Sequence, residues 1–485
     1  MLDNAASGLF SDLLFGYTPS VSSVSKTRRV AITLLVGDLV GATLFLLLQS
    51  GFYFGPGDSF FSFFGVESLG AIAIFLFSLY IAGAYRSDPQ RGWTWASRRT
   101  LTSCLMVGVP LMTLSYLFYG KIFSVFSFFI WRSNLLPILS FLTVWTIALR
   151  LFVGKWSKLN AEGISCLFIG AEATGQQFEQ DFLKSNSLSK LMVLSSDLDI
   201  KHQLFSHIKY LKQKLKSFPR RNDFTALGGI IVAPEMELSG AIVQQLMQLR
   251  LIGVPVYRLP DFYELLWQKL PSRLLQDSCL AFDDGFHLLT NRANLKLKRL
   301  IDLCAASLLL LLLSPVMAVT ALAIRLESPG PIFYSQLRNA QNAKPIRVYK
   351  FRSMYQDAEK QGAQWAQERD PRVTRIGYWL RLARIDELPQ LWNVLRGDMS
   401  LIGPRPERPE FDGKLEAEIP YYMLRYLVKP GITGWAQVCY PYGASVEDAY
   451  EKLSYDLYYI KNYSIWLDFA IALKTVQVVL LGKGR

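Results

Sequence analysis

The chain has 485 residues, 51% of them hydrophobic, and a mean hydropathy of +0.21, which exceeds ordinary soluble composition and calls for several folding units in a membrane protein. A formal net charge of +13 suits nucleic acid, an anionic bilayer or polyphosphorylated substrates. Its lysines and arginines gather beside apolar segments, with no long basic block or aromatic-interleaved basic stripe, so no nucleic-acid partner is expected.

Residues 1–28 form a polar, mixed tail without the apolar core and cleavage site of a signal peptide, and are expected to stay attached and cytosolic. Four apolar segments follow, 30–49, 60–85, 101–119 and 135–153, each close to the ~20 residues that cross a hydrocarbon core. Arg28 and Arg29 precede the first, the next connector holds no Lys or Arg, and Arg91, Arg98 and Arg99 follow the second. Arg150, Lys155 and Lys158 end the fourth, so the positive-inside rule leaves both ends of a four-helix transmembrane bundle, 29–158, in the cytoplasm. Asp38 and Glu67 are the acids within the spans; their glycine-rich neighbourhoods favour helix packing over a transport pathway.

From 159 to 290 short apolar runs alternate with amphipathic stretches. The runs at 164–170, 191–195, 229–233 and 254–259, with helices at 174–184, 200–215 and 239–251, predict a Rossmann-like α/β middle domain with a parallel sheet. Its first turn reads GAEATG, and Glu172 stands where a dinucleotide loop needs glycine. A folded spacer, a homodimerisation unit or a regulatory unit is therefore the expectation for this domain. Cys104, Cys166, Cys279, Cys304 and Cys439 show no disulfide or zinc spacing, and His202, His207 and His287 stand apart from other metal ligands.

The fifth apolar segment, 300–324, carries cations at both ends, Lys296, Lys298 and Arg299 before it and Arg325 after it, with Ser314-Pro315 inside. A re-entrant membrane helix, broken at that pair and returning to the cytoplasmic face, satisfies both facts. The rest, within a C-terminal domain spanning 291–485, is basic and globular, and 463–481 reads as either an interfacial or a buried amphipathic helix.

Four motifs crowd this domain: YKFRSM (349–354), RIDELPQLWNVLRGDMS (384–400), IGPRPE (402–407) and KPGITGWAQV (429–438). Asp386 and Glu387 open an amphipathic helix, with Pro389 in its first turn. An Asp-Glu pair at a helix start is by itself an ordinary favourable cap. Arg338, Lys350, Arg352, Arg372, Arg375, Arg384, Arg396 and Arg405 supply more cation than a solvated face needs, and suit a diphosphate beside a carboxylate that attacks or binds Mg²⁺.

Together these motifs resemble the polyprenyl-phosphate hexose-1-phosphate transferases, the bacterial sugar transferase family that starts exopolysaccharide, capsule or O-antigen units. The resemblance is strongest over 295–485 and implies a mainly α-helical (α+β) catalytic domain. It implies that Asp386 attacks the sugar-bearing phosphate of a UDP-hexose, glucose or galactose, expelling UMP, and that Glu387 shares Mg²⁺ with it before the sugar phosphate passes to undecaprenyl phosphate. Lys350, Arg352 and Arg405 would hold phosphates; Gln437 in the last motif joins them as a substrate-binding residue, and Ser314-Pro315 matches the family's helix break. Tyr421, Tyr422 and Tyr426 would sit at headgroup depth. The setting implied is a multi-pass protein of the bacterial inner membrane with its catalytic domain on the cytoplasmic face. The rival reading is a non-catalytic membrane scaffold or nucleotide sensor in polysaccharide assembly.

Overall fold

Helix α1, Val30–Phe45, carries one half of a buried ion pair. In the computed structural model, which describes residues 30–45, 75–85, 100–101, 132–159, 165–185, 190–195, 227–236, 238–251, 254–282, 285–286, 292–356, 358, 370–441, 443 and 445–480, Asp38 of α1 meets Arg150 of helix α3, Arg132–Leu159. The guanidinium spans both carboxylate oxygens at 3.2 and 3.0 Å, and donates to the Thr146 carbonyl at 3.0 Å and the Ala84 carbonyl at 3.4 Å, beyond helix α2 (75–81). Both side chains of the pair are fully buried. Trp145 of α3 donates to the Gly37 carbonyl, and an added Cβ at Gly41 would lie 2.2 Å from the Trp145 indole nitrogen. Asp38 is thus a packing residue, and Arg150, read from sequence as a topology signal, is its partner. The third expected span, apart from 101, and Glu67 lie outside the described residues.

Further along the same unit, β1 (Ser165–Gly170) pairs in parallel with β2 (Lys190–Ser195) on one side and β3 (Leu227–Val232) on the other, and β4 (Val256–Arg258) completes the order β2-β1-β3-β4. Helices α4 (Glu172–Ser185) and α5 (Gly240–Leu251) connect strands, and the expected helix at 200–215 falls outside the described residues. Leu167, Ile169, Ile230, Ile242, Leu246 and Leu249 form the core of this sheet. Glu172 begins α4 as an exposed first-turn acid.

The second unit, 258–485, opens with α6 (Leu259–Trp267) and α7 (Asp277–Phe282). Helix α8, Arg292–Glu327, is the one described helix long and apolar enough to cross a membrane. The expected break does not end it: α8 continues through Pro315. Pro315 lacks the N–H that would reach the Leu311 carbonyl, and the Ser314 hydroxyl donates to that carbonyl at 2.8 Å. One stripe of α8, Ala306, Leu310, Met317, Ala321 and Ile324, packs on the domain, whereas Leu308, Leu311, Leu312, Val319 and Leu322 are exposed.

Strands β5 (Phe333–Asn339) and β6 (Pro345–Phe351) form an antiparallel hairpin. Next come α9 (Arg375–Leu382), a 3-10 turn (Ile385–Glu387), α10 (Gln390–Arg396), β7 (Ser400–Ile402) and α11 (Pro409–Glu418). A second 3-10 turn (Tyr422–Leu427) leads to β8 (Gly431–Thr433), parallel to β7, and to α12 (Trp435–Cys439), α13 (Val446–Lys461) and α14 (Ile465–Leu480). In α14 Ile465, Trp466, Phe469 and Val476 face outward, while Lys474 and Gln477 are buried. Tyr422 and Tyr426 are buried core residues packed with Leu415 and Leu457, which corrects their expected place at headgroup depth.

Candidate active site

Period-two alternation along β6 sends Phe351 into the core with Ile324 and Leu380, so Lys350 points the other way. Behind the strand, buried Asn393 acts as a partner for its edge: its side-chain oxygen accepts from the Tyr349 N–H at 3.2 Å and its amide donates to the Arg347 carbonyl at 2.7 Å. Asn393 thereby fixes α10, and with it the acidic turn, against the hairpin. Sequence reasoning passed over it; the one polar residue among Leu391, Trp392, Val394 and Leu395 was the signal available.

The acidic turn follows a reversal at Arg384, whose φ of 56° lies in the left-handed region. Asp386 and Glu387 are both buried. Glu387 accepts from Lys350 Nζ at 2.9 Å and from Arg405 Nη2 at 2.7 Å through one oxygen, and from Arg384 Nη1 at 3.4 Å through the other. Burial opposes its charge, but Arg405, Lys350 and Arg384 hold its carboxyl well below the usual range. Asp386 makes no ion pair or side-chain hydrogen bond among the described residues. Burial, and then the charge of Glu387, push it up to about 6, while Lys350, Arg381 and Arg384 act the other way. The pair opens a 3-10 turn whose helical backbone runs on through Leu388 and Pro389 into the short helix α10, with these cations packed around it.

Of the residues singled out by sequence, Asp386, Glu387, Lys350, Arg384 and Arg405 converge. Arg338 borders them, donating to Glu407 Oε1 at 3.1 Å and to the Pro406 carbonyl at 3.2 Å. Three arginines take other posts. Arg352 is buried and donates to the carbonyls of Ser328 (2.7 Å), Pro329 (2.8 Å) and Ile324 (3.4 Å), closing the C-terminal end of α8 rather than facing phosphate. Arg372 pairs with Asp370 at 2.6 Å, and Arg396, half-exposed in the last turn of α10, pairs with Asp398 at 3.3 Å. Gln437 donates to the Ile432 carbonyl at 3.2 Å from within α12, while its side-chain oxygen is buried without a partner among the described residues.

Among the described residues no group of three or more His, Cys, Asp or Glu side chains gathers as a metal cage. Mg²⁺ takes one or two carboxylates and completes its shell with substrate phosphates and water. The oxygen-only pair of Asp386 and Glu387, with Asp386 not committed to any cation, fits that mode.

The site is thus a buried acid pair with one member clamped by three cations, on a unit that also carries an exposed apolar helix. The family model for bacterial sugar transferases matches residues 293–482, a span that includes the whole site. The chain is 45% identical over 248 residues to the UDP-N-acetylgalactosamine-undecaprenyl-phosphate N-acetylgalactosaminephosphotransferase of Aeromonas hydrophila, covering 51% of this chain and 57% of that protein. It is 39% identical over 250 residues to the UDP-glucose:undecaprenyl-phosphate glucose-1-phosphate transferase of Escherichia coli K12, covering 51% of this chain and 53% of that one. With the exopolysaccharide production protein PSS of Rhizobium leguminosarum it shares 42% identity over 198 residues, 39% of this chain and 99% of that protein. The chain belongs to the bacterial sugar transferase family. It spans about half the length of the first two relatives, 57% and 53%.

Proposed function

We propose that the protein is a phosphoglycosyl transferase that moves a sugar 1-phosphate from a UDP-sugar to undecaprenyl phosphate and releases UMP, as the first membrane step of an exopolysaccharide, capsule or O-antigen. The observation that carries this is the division of labour in the dyad: Glu387 is tied to three cations, while Asp386 beside it is left without one. A carboxylate without a counter-ion keeps its nucleophilicity, and a charged array around it lowers the barrier to approach of a diphosphate.

The Asp386 carboxylate attacks the sugar-bearing phosphorus of the donor; a phosphorus–oxygen bond forms as the bond to UMP breaks, and UMP leaves with the electron pair. A phosphate oxygen of the lipid then attacks the same phosphorus and frees Asp386. Lys350, Arg384, Arg405 and Arg338 neutralise charge on the phosphates through both steps. Mg²⁺ held by Asp386 and Glu387 would supply further neutralisation of the diphosphate. The donor is a UDP-hexose, glucose or galactose in type and N-acetylated forms included, since relatives are named for both glucose and N-acetylgalactosamine.

The bilayer setting is supported by inside-out patterning: α14 turns Trp466 and Phe469 outward and buries Lys474, and α8 exposes its leucines while burying Lys298, Asp302 and Thr320. Both ends of α8 rest on one domain. Near its start Arg299 donates to the Leu395 carbonyl at 2.8 Å and Asp302 accepts from the Leu401 N–H at 3.1 Å; near its end Glu327 accepts from the Ile376 N–H at 2.9 Å. A helix anchored in this way enters and leaves the membrane by one face, and the positive-inside pattern makes that face cytoplasmic. Residues 29–158 form a four-helix membrane bundle in this reading, and the parallel-sheet unit is a Rossmann-like module for dimerisation or regulation.

Detergent-purified protein given a panel of UDP-sugars, Mg²⁺ and undecaprenyl phosphate tests the reaction. Lipid-dependent UMP release with one sugar, lost in Asp386→Asn, is expected. Folded protein that turns over no UDP-sugar would favour the scaffold reading instead.

A further inference from the structure

Arg405 meets Glu387 from a turn that has no regular secondary structure, yet each carbonyl along it is held. The Pro404 carbonyl accepts from the Gly431 N–H at 2.9 Å, the Arg405 carbonyl from Arg425 Nη2 at 2.8 Å, the Pro406 carbonyl from Arg338 Nη1 at 3.2 Å, and the Glu407 carbonyl from the Asn339 N–H at 2.9 Å. A turn secured at four successive carbonyls cannot shift its side chain without breaking several bonds together.

Arg425 differs from the other three holders. Its guanidinium is buried with Asp456, donating to that carboxylate at 3.0 Å and to the Tyr422 hydroxyl at 2.9 Å; Tyr422 in turn donates to Asp412 at 2.9 Å. One side chain therefore ties the Arg405 turn to α13 through Asp456 and to α11 through Asp412. A buried ion pair is costly to assemble and is often no more stabilising than an apolar pair of the same volume. Its use lies in direction: a planar guanidinium bonded on several edges has one allowed orientation, and it passes that orientation to the carbonyl it grips.

We propose that Arg425, backed by Asp456, is a positioning residue that acts through the Arg405 carbonyl to set where the Arg405 guanidinium meets Glu387 and the donor's phosphates. This rests on the phosphate-handling role proposed above for Arg405.

A double-mutant cycle with Arg405→Ala and Arg425→Lys tests it, because a lysine in place of Arg425 keeps a cation for Asp456 but cannot also span Tyr422 and the turn. Arg425→Lys alone is expected to lower kcat for UMP release by ~10- to 100-fold with KM within ~3-fold, the size of loss that misplacement of a group by about 1 Å brings. In the Arg405→Ala background it should cost no more than ~2-fold further, since both changes act on one group. Asp456→Asn should follow the same pattern with a smaller loss, and serves if Arg425→Lys does not fold. Losses that multiply in the double variant, or an unchanged kcat in both Arg425→Lys and Asp456→Asn, would overturn the proposal. Absence of any turnover by wild type counts against the reaction, whereas a wild type that turns over, with kcat losses that multiply in the double variant, counts against the coupling alone.

Discussion

Asp386 and Glu387 are neighbours in sequence and receive opposite electrostatic environments. Because burial and Glu387 push Asp386 up to about 6, a nucleophile that must be ionised should give an acid limb in kcat/KM near pH 6, with activity falling as pH drops through it. Kinetics between pH 5 and 8 check this, and an acid limb near the usual aspartate value of ~3.9 would contradict it. Stability should move the other way. An acid whose folded pKa lies above its unfolded value weakens the fold once both states are ionised, so Asp386→Asn should stabilise by up to about 3 kcal/mol above pH 6, the gain vanishing as pH falls below about 3.8. Melting curves at pH 7.5 and pH 4 would show it. At this scale the density of charge and the resemblance of the motifs marked the dyad, Lys350, Arg384 and Arg405, which lie together in the structure. The sequence did not separate them from Arg352, Arg372 and Arg396, since an arginine's reach of several ångströms is directed by tertiary neighbours.

At the level of elements, the alternating runs placed β1, β2, β3, α4 and α5 within a few residues, because strand and helix periods differ sharply and glycines punctuate them. The direction in which α14 faces was not legible: the same periodicity serves a helix that buries its apolar side and one that turns it to lipid. Asn393 escaped because a side-chain amide filling in for a strand partner leaves no periodic trace. Arg352 gives a test at this scale. As the closing contact for the carbonyls at the end of α8, its replacement by Ala should cost about 1–3 kcal/mol, since part-buried acceptors lose a buried charged donor together. Arg352→Lys should lower the melting temperature while leaving KM for the UDP-sugar within ~2-fold; a large rise in KM with unchanged stability would restore the phosphate role.

For the whole molecule, composition and charge pointed to a membrane, but the Asp38–Arg150 pair could not be read because its partners are 112 residues apart and each had a simpler local explanation. The proposed re-entrant placement of α8 has a direct consequence. Single cysteines at exposed Lys296 and Lys344, on either side of the helix, should share one accessibility, both protected from an impermeant thiol reagent added outside intact cells. Labelling of Lys344→Cys alone would mean that α8 crosses the bilayer.

The division of the dyad into a clamped Glu387 and an uncommitted Asp386 is tested most directly by mass spectrometry of the intact protein mixed with its UDP-sugar and Mg²⁺, with the lipid acceptor withheld. One sugar phosphate added to Asp386, one UMP released per protein and discharge of the adduct on adding undecaprenyl phosphate are expected; full turnover with lipid but no adduct and no UMP without it would show that Asp386 does not attack the donor.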